Sequence, residues 1–155
     1  MSLNENKIIV RRFFEELWNE RKLEVADEIF AGDCITHQLQ SGKDAPAARR
    51  NAEAVKEHIN EWLTGFPDLR FTVEQMIAEA DEVVSQAVMR GTHAGIWHGI
   101  PPTGKSVSIR MTVRHRVANK KIVEDWVLVE SYGFFEQLGL ALPAPEIIAR
   151  AAAEK

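Results

Sequence analysis

The sequence has little cysteine, no long apolar run and no cluster of positive charge. Its single cysteine, Cys34, cannot form an internal disulfide, which is typical of a reducing compartment. No apolar run approaches the ~20 residues that a membrane-spanning helix needs. The N-terminus has no basic segment leading into a continuous apolar one, so we expect no secretory signal. These absences predict a cytoplasmic protein that has no membrane partner.

Motifs for several chemistries are also missing. The 155 residues have a formal net charge of -4 with no clustered Lys/Arg face, so we expect no nucleic-acid partner. No glycine-rich phosphate loop precedes a helix with Lys-Ser/Thr, and no serine-elbow pattern is present. His93 and His98 have no third ligand nearby, so we predict no metal site.

Helical periodicity dominates the first part of the chain. Apolar residues recur at helical spacing over 4–20, and a shorter helix is predicted over about 22–30. A third helix is predicted to begin after Asp44, its cap, with Pro46 in its first turn, and to be ended by Gly65 and Pro67. His58 lies on this helix and is expected to be solvated.

From Leu69 onward the apolar period changes from 3.6 to 2 residues. Strands are predicted over 34–37, 69–79, 82–93, 105–117 and 121–132. Helices followed by antiparallel strands predict an α+β fold, with the helices packed on one face of a curved sheet. We predict one domain over residues 1–142 and a C-terminal tail over 143–155.

Ionisable side chains fall on the apolar face of the last predicted hairpin. If Asn119-Lys120 forms a two-residue turn, His115 lies opposite Glu124. The same register places Glu130 and Trp126 on the apolar face and leaves Asp125 on the opposite, polar face. Carboxylates are rarely placed on a buried face without a partner or a task.

Glu130 is the first candidate for chemistry on this face. Its aromatic and aliphatic neighbours should raise its pKa and suit the carboxyl group to proton transfer. Alternatively, Glu130 bonds to a helix terminus or faces solvent at the end of the sheet. For His115 and Glu124, a structural pair is the favoured interpretation.

Two interpretations are open for each of the remaining histidines and for the tryptophans. His93 either reaches a pocket mouth as an acid, base or hydrogen-bond donor, or fixes the backbone of the 95–104 loop. His37 fits a cavity wall and an exposed edge equally well. The tryptophans pack in the core or line an apolar ligand site; they are Trp18, Trp62, Trp97 and Trp126.

A set of short motifs spans residues 5–140: Phe66-Pro67-Asp68-Leu69, Gly91-Thr92-His93, Gly99 to Lys105, Lys121-Ile122-Val123-Glu124 and Gln137-Leu138-Gly139. Together they resemble the SnoaL-like polyketide cyclase (ester cyclase) family. The resemblance implies the nuclear-transport-factor-2-like fold, a cone-shaped and strongly bent antiparallel sheet with N-terminal helices covering its concave face. It also implies a deep apolar pocket, and a homodimer or homotetramer formed through the outer face of the sheet.

The resemblance implies an activity as well. Characterised members close a ring in a polyketide methyl ester by intramolecular aldol condensation, without metal or cofactor, and an aspartate acts as general acid and base. Relatives commonly carry aspartate at the positions of Glu130 and Val127 in this sequence. The glutamate keeps the proton chemistry, whereas the valine departs from the pattern.

The leading hypothesis is a cofactor-free cyclase, or a related lyase or isomerase, acting on a hydrophobic carbonyl compound. Glu130 is the predicted base, and the polar partners are His93 with His37 or His115. The four tryptophans form the predicted wall. The first alternative is a non-catalytic protein that binds a small apolar metabolite in the same cavity. The second is an interaction module, which predicts a filled cone.

Overall fold

The computed structural model describes residues 2–40, 43–44 and 47–154. The N-terminal helix, α1, spans Leu3–Arg12 and continues as a π-helical segment over Phe13–Asn19. Ser2 and Glu5 cap α1 reciprocally: the serine hydroxyl accepts from the glutamate N–H, and the glutamate carboxylate accepts from the serine N–H. The helix predicted over 4–20 is therefore confirmed.

The segment after this helix contains short elements. They are α2 at Val25–Ile29, β1 at Phe30–Gln40, β2 at Lys43–Asp44, β3 at Ala48–Arg50 and α3 at Ala52–Gly65. The predicted start of the third helix is wrong, because Asn51 caps α3 by accepting from the Ala54 N–H at 2.9 Å. Asp44 belongs to β2, and Pro46 lies outside the described residues. The predicted end at Gly65 is confirmed.

Four long strands follow and complete one curled, open sheet. They are β4 at Arg70–Glu79, β5 at Glu82–Thr92, β6 at Ser106–Ala118 and β7 at Lys121–Val129. The strand order is β2-β1-β7-β6-β5-β4, with β3 paired to β1. All neighbours run antiparallel except β1 and β7, which run parallel. The predicted α+β class is confirmed.

The predicted register of the last hairpin is wrong beyond its first two pairs. Ala118 does lie opposite Lys121, but the ladder shifts after Val117 and leaves Val123 as an extra residue in β7. Because strand side chains alternate, this bulge reverses the faces of every later residue of the strand. His115 therefore lies opposite Asp125, not opposite Glu124.

The concave face of the sheet and the N-terminal helices share the hydrophobic core. Val107, Ile109, Val113 and Val117 of β6 are buried, as the alternation predicts. The helices contribute Phe14, Leu17 and Ile59 to the core, and all three are fully buried. No helix in the described part of the chain is long and apolar enough to cross a membrane.

Two helices complete the C-terminal region. The chain leaves the sheet after β7 and forms α4 at Ser131–Gln137, where a strand was predicted up to residue 132. Phe134 of α4 is buried and belongs to the core. The last helix, α5, spans Ala144–Ala153 and has no buried residue. The division at residue 142 stays a prediction.

Candidate functional site

A cavity of about 550 Å³ opens between the concave face of the sheet, α3, α4 and the loop after β5. This volume lies in the range of small-molecule sites. Its wall is largely aromatic: Trp18, Trp62, Phe71, Trp97, Phe134 and Phe135. Three of the four tryptophans predicted to form a wall thus lie around one cavity.

A smaller space of about 80 Å³ adjoins the cavity on the side of β1 and the π-helical segment. The residues that line both spaces are Trp18, Gln38, Arg50, His58, Phe71, Met111 and Val127. Asp125 lines this smaller space, which we call the deep end. The deep end therefore brings a carboxylate, a guanidinium and an imidazole together behind an aromatic wall.

Asp125 points inward because of the bulge at Val123. It is only 6% exposed, and its Oδ1 has no hydrogen-bond partner among the residues that the structure describes. Burial raises the pKa of Asp125 to about 6, although the Thr36 side chain and the positive charge of Arg50 oppose the shift. The group can thus both accept and return a proton near neutral pH.

Arg50 reaches both spaces from β3, where it pairs with Cys34 of β1. It makes no salt bridge or side-chain hydrogen bond with any residue of 2–38 or 47–154, the ranges whose side chains the structure describes. Its neighbour Arg49 faces the other way, is 71% exposed and pairs with Asp33 at 3.3 Å. A cation without a partner at an apolar cavity is unusual, because burial penalises an uncompensated charge.

His58 lines the cavity from α3, so the expectation that it is solvated is wrong. Its ring packs edge to face against Trp18, with 6.2 Å between centroids. Burial, followed by the charges of Arg50 and His98, lowers the pKa of His58 to about 4. The imidazole is therefore neutral near pH 7 and can donate or accept a hydrogen bond.

Glu130 lies outside the cavity, although it was the predicted base. It is exposed, sits at the N-cap position of α4, and its Oε2 accepts from the Arg110 N–H at 3.3 Å. The bulge at Val123 accounts for this, because it turns the even-numbered residues that follow it in β7, and Glu130 after them, to the outer face. The structure does not bring Glu130 and His93 together.

His93 is fully buried beside the loop that closes one side of the cavity. Its ring stacks on Phe66 with 5.0 Å between centroids, and its Nδ1 accepts from the Thr103 N–H at 3.2 Å. Its own N–H and carbonyl group bond to Lys105 and Gly104. These contacts fix the loop backbone, which agrees with the second of the two interpretations of His93 given above.

The same loop is tied to the end of α3. The N–H groups of Ala94 and Gly95 both donate to the Gly65 carbonyl oxygen at 3.0 Å. A Cβ atom at Gly95 would overlap the Thr64 carbonyl oxygen, so the close approach requires glycine. This attachment carries Trp97 and His98 of the loop to the cavity wall.

The other two predicted binding histidines lie away from the cavity. His37 is on the outer face, where it bonds Glu124 at 2.8 Å and stacks on Trp126 with 4.9 Å between centroids. Trp126 is therefore an outer-face residue too, covered on its other side by Arg114 at 3.8 Å. His115 is fully buried, and its ring packs against the ring of Phe13 at 5.0 Å.

The predicted pairing of His115 with Glu124 is consequently wrong. Glu124 bonds His37 and Arg116 instead, and these hydrogen bonds outweigh burial and lower the pKa of Glu124. Burial alone lowers the pKa of His115 to about 3. No cluster of three or more metal-ligating side chains occurs within the described ranges.

The sequence reasoning missed Asp125, Arg50 and His58. The sequence contains a signal for Asp125 and another for His58. Val127 and Val129 continue the alternation from Asp125, which marks an apolar, inward face. Residues 55, 58, 59 and 62 of α3 form one helical stripe, so His58 belongs to its inner side. Arg50 had no comparable signal, because β3 was not predicted.

A curled, open sheet that encloses an aromatic cavity, with the Asp125 carboxylate buried at its deep end, defines a small, cone-shaped α+β fold. The profile of the SnoaL-like polyketide cyclase family matches residues 8–138 of the sequence. The chain therefore belongs to the SnoaL-like polyketide cyclase family. A comparison with functionally curated proteins gives no match.

Solved structures share the fold. IdmH from Streptomyces antibioticus, described as a candidate polyketide cyclase, is 29% identical over 86% of this chain and 98% of that chain, with a TM-score of 0.74. AclR from Streptomyces galilaeus, described as a candidate hydroxylase, is 24% identical over 99% and 92%, with a TM-score of 0.78. A SnoaL-like protein from a Jannaschia species is 23% identical over 90% and 94%, also with a TM-score of 0.78.

Proposed function

We propose that the protein is a cofactor-free catalyst of proton transfer next to a carbonyl group, leading to intramolecular aldol ring closure. One observation carries the proposal: the carboxyl group of Asp125 is buried at an aromatic cavity with its pKa raised to about 6. A general base whose pKa lies near the working pH is ionised in a large fraction of molecules and is still basic enough to accept a proton from the substrate. Family membership and the likeness to IdmH support the same reaction class.

In this mechanism the Asp125 carboxylate removes a proton from the carbon next to a carbonyl group. The C–H electron pair forms an enolate, whose carbon attacks a second carbonyl group of the same molecule. One C–C bond forms, and the resulting alkoxide takes the proton back from Asp125. The carboxylate is regenerated, and no oxidant or reductant is needed. Related lyase or isomerase reactions would use the same first step.

The proposal also accounts for the departure from the family pattern at Val127. Val127 lines the cavity on the same face of β7 as Asp125 and lies two residues further along the strand. Two residues of strand correspond to ~6.6 Å. We infer that Asp125 takes the place of the aspartate that relatives carry at the position of Val127. The carboxylate of this chain therefore lies one inward-facing position nearer the deep end. Glu130, on the outer face, takes no part.

Isotope exchange tests the proposal without knowledge of the natural substrate. α-Tetralone, an aromatic ketone with exchangeable protons next to its carbonyl group, is incubated with the protein in D₂O and followed by proton NMR. The wild type should exchange faster than buffer, and Asp125→Asn should lose about 100-fold or more of that rate, as expected for a general base. Near-UV circular dichroism checks that the variant is folded.

Glu130→Gln is the matched control, because it removes a carboxylate at the end of the same strand but outside the cavity. Its exchange rate should equal that of the wild type. Exchange that survives Asp125→Asn, or that is lost in Glu130→Gln, would reject the proposal.

A non-catalytic protein that binds an apolar metabolite is the second candidate, and the aromatic wall favours it equally. It predicts that α-tetralone quenches tryptophan fluorescence without any exchange above buffer. The interaction-module alternative is disfavoured, because it predicts a filled cone and the cavity measures about 550 Å³. Assembly as a homodimer or homotetramer through the outer face stays a prediction, which light scattering would test.

A further inference from the structure

Arg50 is a charged group of the cavity that the proposed proton transfer does not use. Its guanidinium lines both the main cavity and the deep end. The N–H donors of a guanidinium match two oxygens of a carboxylate, and such pairs are strong where water is excluded. Within residues 2–38 and 47–154, whose side chains the structure describes, however, no carboxylate lies within salt-bridge distance of Arg50.

Asp125 does not fill that role. The two side chains are close enough for the charge of Arg50 to lower the pKa of Asp125, yet burial outweighs this effect and the net shift is upward. A tight ion pair would shift the pKa of the carboxyl group downward. The donors of Arg50 are therefore not committed to Asp125.

The other ionisable groups of the wall do not neutralise Arg50 either. Glu61 of α3 lines the main cavity but is exposed, so water screens its charge. His58 and His98 are the remaining titratable groups there, and the lowered pKa of His58 reflects in part the positive charge of Arg50. The deep end thus holds a cation that has no counter-ion among the side chains of residues 2–38 and 47–154.

We propose that the ligand of this cavity is an anion: an aromatic or conjugated carbonyl compound with a free carboxylate, which Arg50 binds beside Asp125. The aromatic wall would take the ring system, and the guanidinium would take the carboxylate as a two-point anchor. The anchor would hold the rest of the ligand against Asp125. This inference rests on the proposed use of the cavity for a carbonyl ligand. It does not depend on turnover.

Two probes that differ only in charge test the inference. Anthraquinone carboxylate and its methyl ester are titrated against the protein, and binding is followed by quenching of tryptophan fluorescence. The wild type should bind the carboxylate about tenfold or more tightly than the ester, the range expected for a charged hydrogen-bonded contact. Arg50→Gln should lose this preference and keep its affinity for the ester.

Arg49→Gln is the matched control, since it removes an adjacent arginine that points to solvent, and it should keep the full preference. If Arg50→Gln does not fold, Arg50→Lys, which keeps the charge but loses the fork, should show a reduced preference. An equal or stronger affinity of the wild type for the ester would overturn the inference. So would failure of both probes to quench, or a preference that Arg49→Gln also abolishes.

The two proposals fail separately. Selective binding of the carboxylate without isotope exchange would reject the cyclase and retain the anionic ligand. Isotope exchange that depends on Asp125, without preference for the carboxylate, would retain the catalyst and reject the role of Arg50.

Discussion

Asp125 and His115 lie opposite each other in the ladder, and burial shifts their pKa values in opposite directions. It raises the pKa of Asp125 to about 6 and lowers the pKa of His115 to about 3, because a buried site disfavours the charged form of either group. The histidine therefore stays neutral near pH 7, whereas the aspartate can still ionise. Only the aspartate is suited to proton transfer.

His115→Leu should make the protein less sensitive to acid. The folded-state pKa of His115 lies below its usual value of 6.5, so the unfolded state binds more protons as the pH falls. His115 therefore contributes a loss of stability below about pH 6.5. The variant should gain an advantage of about 2 kcal/mol near pH 5 relative to neutral pH.

Urea unfolding of both proteins at the two pH values measures this difference. The contribution of Asp125 is common to both proteins and cancels in the comparison. Removal of a ring whose two nitrogens have no partner among the described residues should not lower stability at neutral pH. An unchanged acid sensitivity in His115→Leu would show that the imidazole is hydrated.

At the scale of elements, the bulge in β7 decides which carboxylate faces the cavity. The alternation along β6 was predictable from sequence, and its buried residues lie where the pattern places them. The alternation along β7 was also predictable, but which of its alternate residues face the cavity was not. The residues Lys121-Ile122-Val123 are favourable for a regular strand, so the local sequence does not indicate the bulge at Val123. The site was therefore misplaced while the fold was correctly predicted.

The third helix shows a different limit. Its periodicity was predictable and its end at Gly65 is correct, but its predicted start at Asp44 is wrong. Asn51, not Asp44, caps the helix. The residues between them form the short strand β3 that carries Arg50. A strand of three residues has too little periodicity to be recognised, so Arg50 could not be assigned to the cavity.

Trp62 and Trp126 should respond differently to truncation, because Trp62 of α3 lines the cavity whereas Trp126 of β7 lies on the outer face of the sheet. Trp62→Ala should weaken α-tetralone binding by about fivefold or more, the equivalent of ~1 kcal/mol of aromatic contact. Trp126→Ala should leave the affinity unchanged and lower stability, since it removes the stack with His37 and Arg114.

Isothermal titration calorimetry and thermal unfolding of the two variants separate these effects. The reverse order, with binding lost in Trp126→Ala alone, would mean that β7 has the regular register without a bulge. Trp126 and Glu130 would then face the cavity, and Asp125 would not.

At the scale of the whole molecule, the curled sheet separates two kinds of electrostatics. Its outer face carries paired charges, such as Glu124 with His37 and Arg116. Its inner face carries Asp125 and Arg50, which are not paired with each other, next to an aromatic cavity. The loop fixed by His93 and Gly95 closes one side of that cavity. Paired charges stabilise the exterior, and unpaired ones remain available to a ligand.

The pKa of Asp125 is the quantity on which this account depends. It can be measured by NMR from the carboxyl carbons of ¹³C-labelled aspartate over a pH titration, with Asp125→Asn to assign the signal. The account predicts a midpoint near 6 that rises further when α-tetralone fills the cavity and excludes water. A midpoint near the ordinary aspartate value of about 3.9, unaffected by α-tetralone, would contradict it.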